Sequence, residues 1–335
     1  MTRTRIAQLA LPIGFLVLTA TSHVGPSSAQ TTYMPGAEPP KPTASDTTLH
    51  IQVVPLARGV YAAKVSYVWT GWVELPEGIL LIDSSMSDST AAALADTIRA
   101  RSGPIPVKYV VNTHAHQDHF GGNRYFVSRG ATVIAQTKSA AKIDSIMAIP
   151  ETTTGAAITP KLVKPSIHVD HRKVMGPPDR RVEIIWLGKP AHTAGDLIVY
   201  LPKQKTVFAG DLVSNQAIPW FLDPNWSRLG WLASLDSLTS KAFTIAKLVP
   251  GHGAYDEPWK GFKFTRGYLK DSYEKAAKMA SWRTSVRAVR DWGYLGAYEN
   301  AEFYSEVHYM NMRRLYNEAR GMKTPGRVNA QTFKH

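Results

Sequence analysis

Eleven residues, Thr113 to Asn123, read THAHQDHFGGN and bring His114, His116, Asp118 and His119 within six positions of one another. Three imidazoles and a carboxylate packed this closely compete for water and serve no apolar core unless a cation holds them. The spacing HxHxDH therefore reads as a metal-binding loop. The run before it, Pro106 to Val111, is β-branched and apolar, as a buried strand should be, and Gly121-Gly122 ends the segment as a turn or a helix start. That puts the loop at the C-terminal end of a strand, where α/β folds usually carry their chemistry.

Three more donors stand at the ends of later apolar runs: His192 in AHTAGD, Asp211 in FAGD and His252 in PGHG. Each has glycine beside or near it, so each can project from a strand end into a common cleft. Seven nitrogen and oxygen donors are too many for one tetrahedral zinc. They suit two ions about 3.5–4 Å apart that share one carboxylate and one water.

The elements needed to position these donors can be read around them. His50 to Val54, Gly59 to Val65, Trp72 to Leu75 and Ile79 to Ile82 predict short antiparallel strands, with a turn at Pro76-Glu77-Gly78. Ser89 to Ala100 has helical apolar spacing, and so does Ser139 to Met147, with a short strand at Gly130 to Ala135 between them. From Pro150 to Pro178 the pattern loosens, and His168 and His171 are read as surface-loop residues. Strands return at Val182 to Trp186, Leu197 to Leu201, Thr206 to Ala209 and Ala246 to Val249, with a helix over Leu229 to Leu238. Beyond Lys260 the spacing is helical to Met322, broken near Gly293 and Gly296. This predicts a catalytic domain over 49–258 and a helical extension over 259–335 packed on it.

The start of the chain carries a different message. Arg3 and Arg5 precede an apolar run from Leu9 to Ala20 and then small residues up to Ala29, the order of a cleaved signal peptide over 1–29. Pro12 interrupts that run, which is far shorter than the ~20 residues of a membrane span. Residues 30–48, rich in Pro, Thr and Ala, read as a flexible linker. The expected location is periplasmic or secreted, with no stable membrane insertion. The net charge of +13 loses only Arg3 and Arg5 on cleavage, leaving +11. Such a surplus favours a small-molecule substrate that is anionic, while export and the lack of any dense basic run argue against nucleic acid. There is no cysteine, so neither disulfides nor thiolate ligands enter the chemistry.

In order, Leu81-Ile82-Asp83, THAHQDHFGGN, HTAGD, FAGD and PGHG resemble the motifs of the metallo-β-lactamase-fold hydrolases, over roughly Leu49 to Asp256. The resemblance implies an α/β fold, a four-layer αβ/βα sandwich, here with a helical C-terminal extension. It implies two zinc ions per chain, with iron and manganese left open. His114, His116 and His192 would hold the first, Asp118, His119 and His252 the second, with Asp211 between them. Asp83 would orient a ligand from outside, and Asp118, His114 and His116 would be catalytic. Substrate contacts are expected from the aromatic-rich loops and the residue after the bridging acid: Trp69, Trp72, Ser214 and Trp220. The best-known lactamases have cysteine where this chain has Asp211, and lysine where it has Ser214. The reading is thus of an exported dinuclear hydrolase of an ester, lactone, amide or related bond. An iron sulfur dioxygenase of the same fold, a true β-lactamase and a non-catalytic metal-binding module are the alternatives.

Overall fold

Four strands in an antiparallel meander open the described chain: β1 (Ile51–Ala57), β2 (Val60–Val65), β3 (Val68–Leu75) and β4 (Gly78–Ile82). The computed structural model describes residues 49–147 and 165–322. The signal peptide and linker of the sequence reading, and the end of its helical extension, lie outside them. Among the described residues no helix is long and apolar enough to cross a membrane.

After β4 the pairing turns parallel, and each return needs a crossover. Helix α1 (Asp88–Ser102) leads to β5 (Val107–Val111); short helices α2 (Gln117–Phe120) and α3 (Asn123–Val127) lead to β6 (Thr132–Gln136); α4 (Thr137–Met147) precedes β7 (Ile167–Val169). Ser87 caps α1 through a reciprocal capping box with Thr90, fixing where the helix starts. Parity then sorts the side chains. Ile79 and Leu81 of β4 pack outward on Leu94 and Ile98 of α1, whereas Leu80 and Ile82 face the second sheet.

That second sheet has the order β13-β11-β10-β9-β8, built from β8 (Arg172–Met175), β9 (Val182–Trp186), β10 (Leu197–Leu201), β11 (Thr206–Phe208) and, later, β13 (Lys247–Val249). Its inner face sets Ile184, Leu197, Val199 and Phe208 against Leu80, Ile82 and Val111 of the first sheet. The chain crosses between sheets at Asp170-His171, since β7 pairs with β6 and β8 with β9. Here the structure corrects half of the surface-loop reading: His168, though exposed, is in strand β7, while His171 is exposed in the bend between β7 and β8, as read. Strands of three and four residues with charged outer positions carry too little apolar pattern to be seen in sequence.

Two two-residue strands, β12 (Ser214–Asn215) and β14 (His252–Gly253), return to the edge of the first sheet, where His252 pairs with Val68. Helices α5 (Arg228–Leu238), α6 (Pro258–Ser281), α7 (Val289–Trp292) and α8 (Tyr304–Ala319) cover the outer face of the second sheet. Ile198, Val207 and Leu248 of the strands share one apolar cluster with Trp231 of α5, Tyr268 of α6 and Leu315 of α8. The layers therefore run helix, sheet, sheet, helix. No seam in packing falls at residue 258, because that one cluster spans both sides of it. Helix α6 stops at Trp282, followed by Arg283 at φ 51, a left-handed terminator made without glycine and so invisible to a search for glycine breaks.

Candidate metal centre

The loop after β5 is shaped by its own hydrogen bonds before any ligand is considered. Asp83, at the end of β4 with φ 59, accepts from the Thr113 amide (2.7 Å) and from Thr113 Oγ1 (2.8 Å). Asn112 and Asn123 bond each other, and Ser84 Oγ donates to Asn123 Oδ1 at 2.8 Å. The glycine pair lets residues 84–86 press against this loop. A Cβ on Gly121 would lie 2.0 Å from the Met86 carbonyl oxygen, and one on Gly122 2.1 Å from that of Ser84. A side chain at either position would push the loop off the strand end.

The structure brings all seven sequence-identified donors together, and all are buried. His114 Nε2 and His192 Nε2 lie 3.0 and 2.9 Å from His116 Nδ1. Beside them, His252 Nε2 is 3.4 Å and His119 Nε2 3.6 Å from Asp118 Oδ2. Asp211 touches both sets: its Oδ2 is 3.2 Å from His192 Nε2 and 3.3 Å from His252 Nε2, and its Oδ1 is 3.1 Å from His119 Nε2. It stands on a single turn after β11, and Gly251 leaves room for it: a Cβ there would come within 1.9 Å of Asp211 Oδ1.

Outer nitrogens are held from behind. His119 Nδ1 is 2.8 Å from Asp83 Oδ2, His114 Nδ1 is 3.1 Å from Thr113 Oγ1, and His252 Nδ1 donates to the Tyr67 carbonyl at 3.1 Å. His116 Nε2 meets Asp223 Oδ2 at 3.3 Å. Such contacts fix which ring nitrogen faces inward and how the ring is turned. Asp223 was missed in the sequence. It lies alone in the aromatic stretch PWFLDPNW, and its only signal there is an Asp-Pro turn. It also accepts from Lys142 Nζ of α4 at 2.7 Å and from the Asn225 amide at 2.8 Å.

The charges split the donors in two. Burial, with the neighbouring His119 charge, pushes His114 well below the usual imidazole range, and burial holds His116 down at about 4. Burial acts the same way on His119 and His252, but there the carboxylates prevail. Asp211, Asp118 and Asp83 raise His119 well above its usual value, and Asp211 with Asp118 raises His252 to about 10. Burial would raise Asp211, yet the four histidines His252, His119, His114 and His192 hold it well below the carboxylate range. Asp118 Oδ2, His119 Nε2 and Asp211 Oδ1 are buried without any hydrogen-bond partner. Inward-facing polar atoms of this kind are costly in a protein interior and are what bound metal would satisfy, so the donor set fits metal binding.

The four anticipated substrate contacts are all buried and pack on other protein groups. Trp72 faces the helix layer, stacked on Tyr61 at 4.8 Å and donating to Ser102 Oγ at 2.9 Å. Its neighbour three positions earlier, Trp69, points between the sheets and donates to the Gly253 carbonyl at 2.9 Å, which steadies the His252 segment. Ser214 is buried, its amide donating to Thr265 Oγ1 and its carbonyl accepting from the same hydroxyl. Trp220 lies in the cluster beneath the C-terminal helices. The rings that do touch donors are Trp231 against His192 (5.1 Å), and Tyr67 and Phe303 against His252 (5.6 and 5.9 Å).

Comparison with known proteins agrees with this geometry. The family model described as the metallo-beta-lactamase superfamily matches residues 63–252. Metallo-beta-lactamase IND-1 of Chryseobacterium indologenes is 26% identical over 210 residues, covering 61% of this chain and 77% of that protein. A linear primary-alkylsulfatase of a Pseudomonas species is 24% identical over 226 residues, but the aligned part is 54% of this chain and only 40% of that enzyme. In three dimensions, a metallo-beta-lactamase from Pontibacter korlensis overlays with a TM-score of 0.54 at 22% identity, over 66% of this chain and 100% of the other. The family match ends at His252, so helices α6 to α8 lie outside it.

Proposed function

Because the chain belongs to the metallo-beta-lactamase superfamily, we propose that it is an exported dinuclear zinc hydrolase that cleaves an ester, lactone, amide or related bond in a small molecule. The observation that carries this reading is the convergence of seven buried donors into two adjoining sets, with the Asp211 carboxylate between them and unpartnered atoms facing inward. Two zinc ions bound there would supply Lewis acidity and a water acidic enough to attack near neutral pH. His114, His116 and His192 would form one side of the site and Asp118, His119 and His252 the other. Asp118 would hold a proton or orient the attacking group, its Oδ2 lying 3.4 Å from His252 Nε2 and 3.6 Å from His119 Nε2 with no hydrogen bond of its own. Asp83, Thr113, Asp223 and the Tyr67 carbonyl keep the four rings from turning away.

The test is metal content of protein purified without added metal, followed by a hydrolysis panel of a β-lactam, a lactone, an aryl ester, a thioester, a phosphodiester and a sulfate ester. Two zinc per chain with chelator-sensitive turnover supports the reading, while one iron, or no bound metal, overturns it. We expect β-lactams to be poor substrates. Ser214 is buried and supplies no cation for the drug carboxylate, and a charge-assisted hydrogen bond contributes roughly 1.5–3 kcal/mol, or about 10- to 150-fold in binding. A β-lactam turned over faster than the lactone and the aryl ester would refute that part.

A further inference from the structure

Phe303 lies 51 residues past the family match, which ends at 252, yet its ring meets the second donor set edge-on: 5.9 Å from His252 and 5.5 Å from Tyr67, which itself stacks on His252. Its backbone is left-handed, φ 66 and ψ 13, directly before the first residue of α8. A bulky residue in that region is an outlier, and such conformations persist only where the surroundings over-determine them. Here they do. On one side Glu302 forms a parallel bridge with Ala217, donates its amide to the Gln216 carbonyl (2.8 Å), accepts from the Ile218 amide (2.9 Å) and pairs through its carboxylate with Lys64 (2.9 Å). On the other, the Val307 amide returns to the Phe303 carbonyl at 2.8 Å, and α8 is anchored by Asn311, which donates to the Pro219 carbonyl and accepts from the Phe221 amide. Glycine would occupy this backbone without strain. What the strained phenylalanine adds is a half-buried ring beside His252.

We infer that Phe303, with Tyr67, forms an apolar wall on the His252 side of the donor cluster and selects substrates that carry an aryl or alkyl group next to the scissile bond. Phe303 is thus a specificity-determining residue contributed by the C-terminal helices. The inference rests on the proposed hydrolase reading and adds the class of its substrate. It also gives the helices a role at the site: the bridge at Glu302 and the helix at Tyr304 together hold the ring in place.

The test uses the zinc-loaded full chain and two inhibitors with the same metal-seeking head, acetohydroxamate and phenylacetohydroxamate, titrated by calorimetry. Wild type and Phe303→Tyr should prefer the phenyl compound, and Phe303→Gly should lose about 2- to 10-fold of that preference, the range expected for one aromatic contact. Zinc content should be kept, and acetohydroxamate affinity should fall by less than phenylacetohydroxamate affinity. A merely structural role would instead lower zinc content, melting temperature and both affinities alike. If Phe303→Gly does not fold, Phe303→Ala makes the same comparison. Wild type that binds two zinc without preferring the phenyl compound, or a glycine variant that keeps the preference, overturns the wall. Wild type that binds no zinc overturns the hydrolase reading, and the wall falls with it.

Discussion

The two donor sets share one carboxylate and differ in almost everything behind it. His114 and His116 are held in the neutral form, with a hydroxyl behind one and a lysine-paired carboxylate behind the other. His119 and His252 lie among Asp83, Asp118 and Asp211 and favour the charged form. His114 and His116 are therefore ready to bind a cation as they stand, while His119 and His252 must first release protons. The difference arises from where acids are placed around chemically similar rings.

Removing what the sets have in common should have the largest effect. Asp211→Ala is expected to empty the second set, lower occupancy of the first and reduce turnover by roughly 10³-fold, the order for losing a central electrostatic group. Metal analysis by mass spectrometry alongside steady-state rates checks this. A variant keeping two metals and the wild-type rate would show that Asp211 does not join the sets.

Next in size are the acids that serve one set each. Asp223→Asn should weaken zinc binding at the first set and Asp83→Asn at the second, each by about 10- to 100-fold. Competition with a chromophoric chelator resolves the two steps, and equal loss at both sites in either variant would mean that the sets are not separately supported. Asp223 and Asp83 also show how unevenly the site could be read from sequence. Asp83 follows an apolar strand next to a motif, as His114 and Asp211 do, and could be singled out. Asp223 acts across 107 residues of sequence on His116 and has no pattern around it. The same limit explains Trp72. Alternation along β3 shows that Trp69 and Trp72 point to opposite faces, but only the pairing of both sheets tells which face meets helix α1 and which meets the second sheet. Phe303 was out of reach for a similar reason, since its position depends on a two-residue bridge at Glu302 and a left-handed backbone.

Acidity should separate the sets further. His252 and His119 have raised values in the metal-free protein, so a proton must leave each before it can bind a cation. Zinc affinity at the second set should then rise with pH throughout the range below about 10, by up to about tenfold per unit for each proton displaced. His116, held at about 4, and His114, also held low, have nothing to release above pH 6.5, so these two rings add no pH dependence there and the slope at the first set should be the smaller. Zinc titrations at pH 6.5, 7.5 and 8.5 measure both slopes, and parallel slopes would contradict the division.

The smallest expected effect comes from Thr113, the residue that touches the supports of both sets. Its hydroxyl donates to Asp83 Oδ2, which leaves His114 Nδ1–H to donate to Thr113 Oγ1. Thr113→Val keeps the shape and the amide bond to Asp83 Oδ1 but removes this link. His114 Nδ1–H is then buried without an acceptor, at a cost of about 1–3 kcal/mol before relaxation. Asp83 Oδ2 still receives His119 Nδ1 at 2.8 Å, so the second set loses only part of its support. The variant should therefore weaken the first site by under about tenfold and the second by less, and lower the melting temperature by a few degrees. Calorimetric zinc titration with thermal melting checks the order. If the second site suffers more than the first, Thr113 acts mainly through Asp83, and the two sets are coupled behind the rings as well as through Asp211.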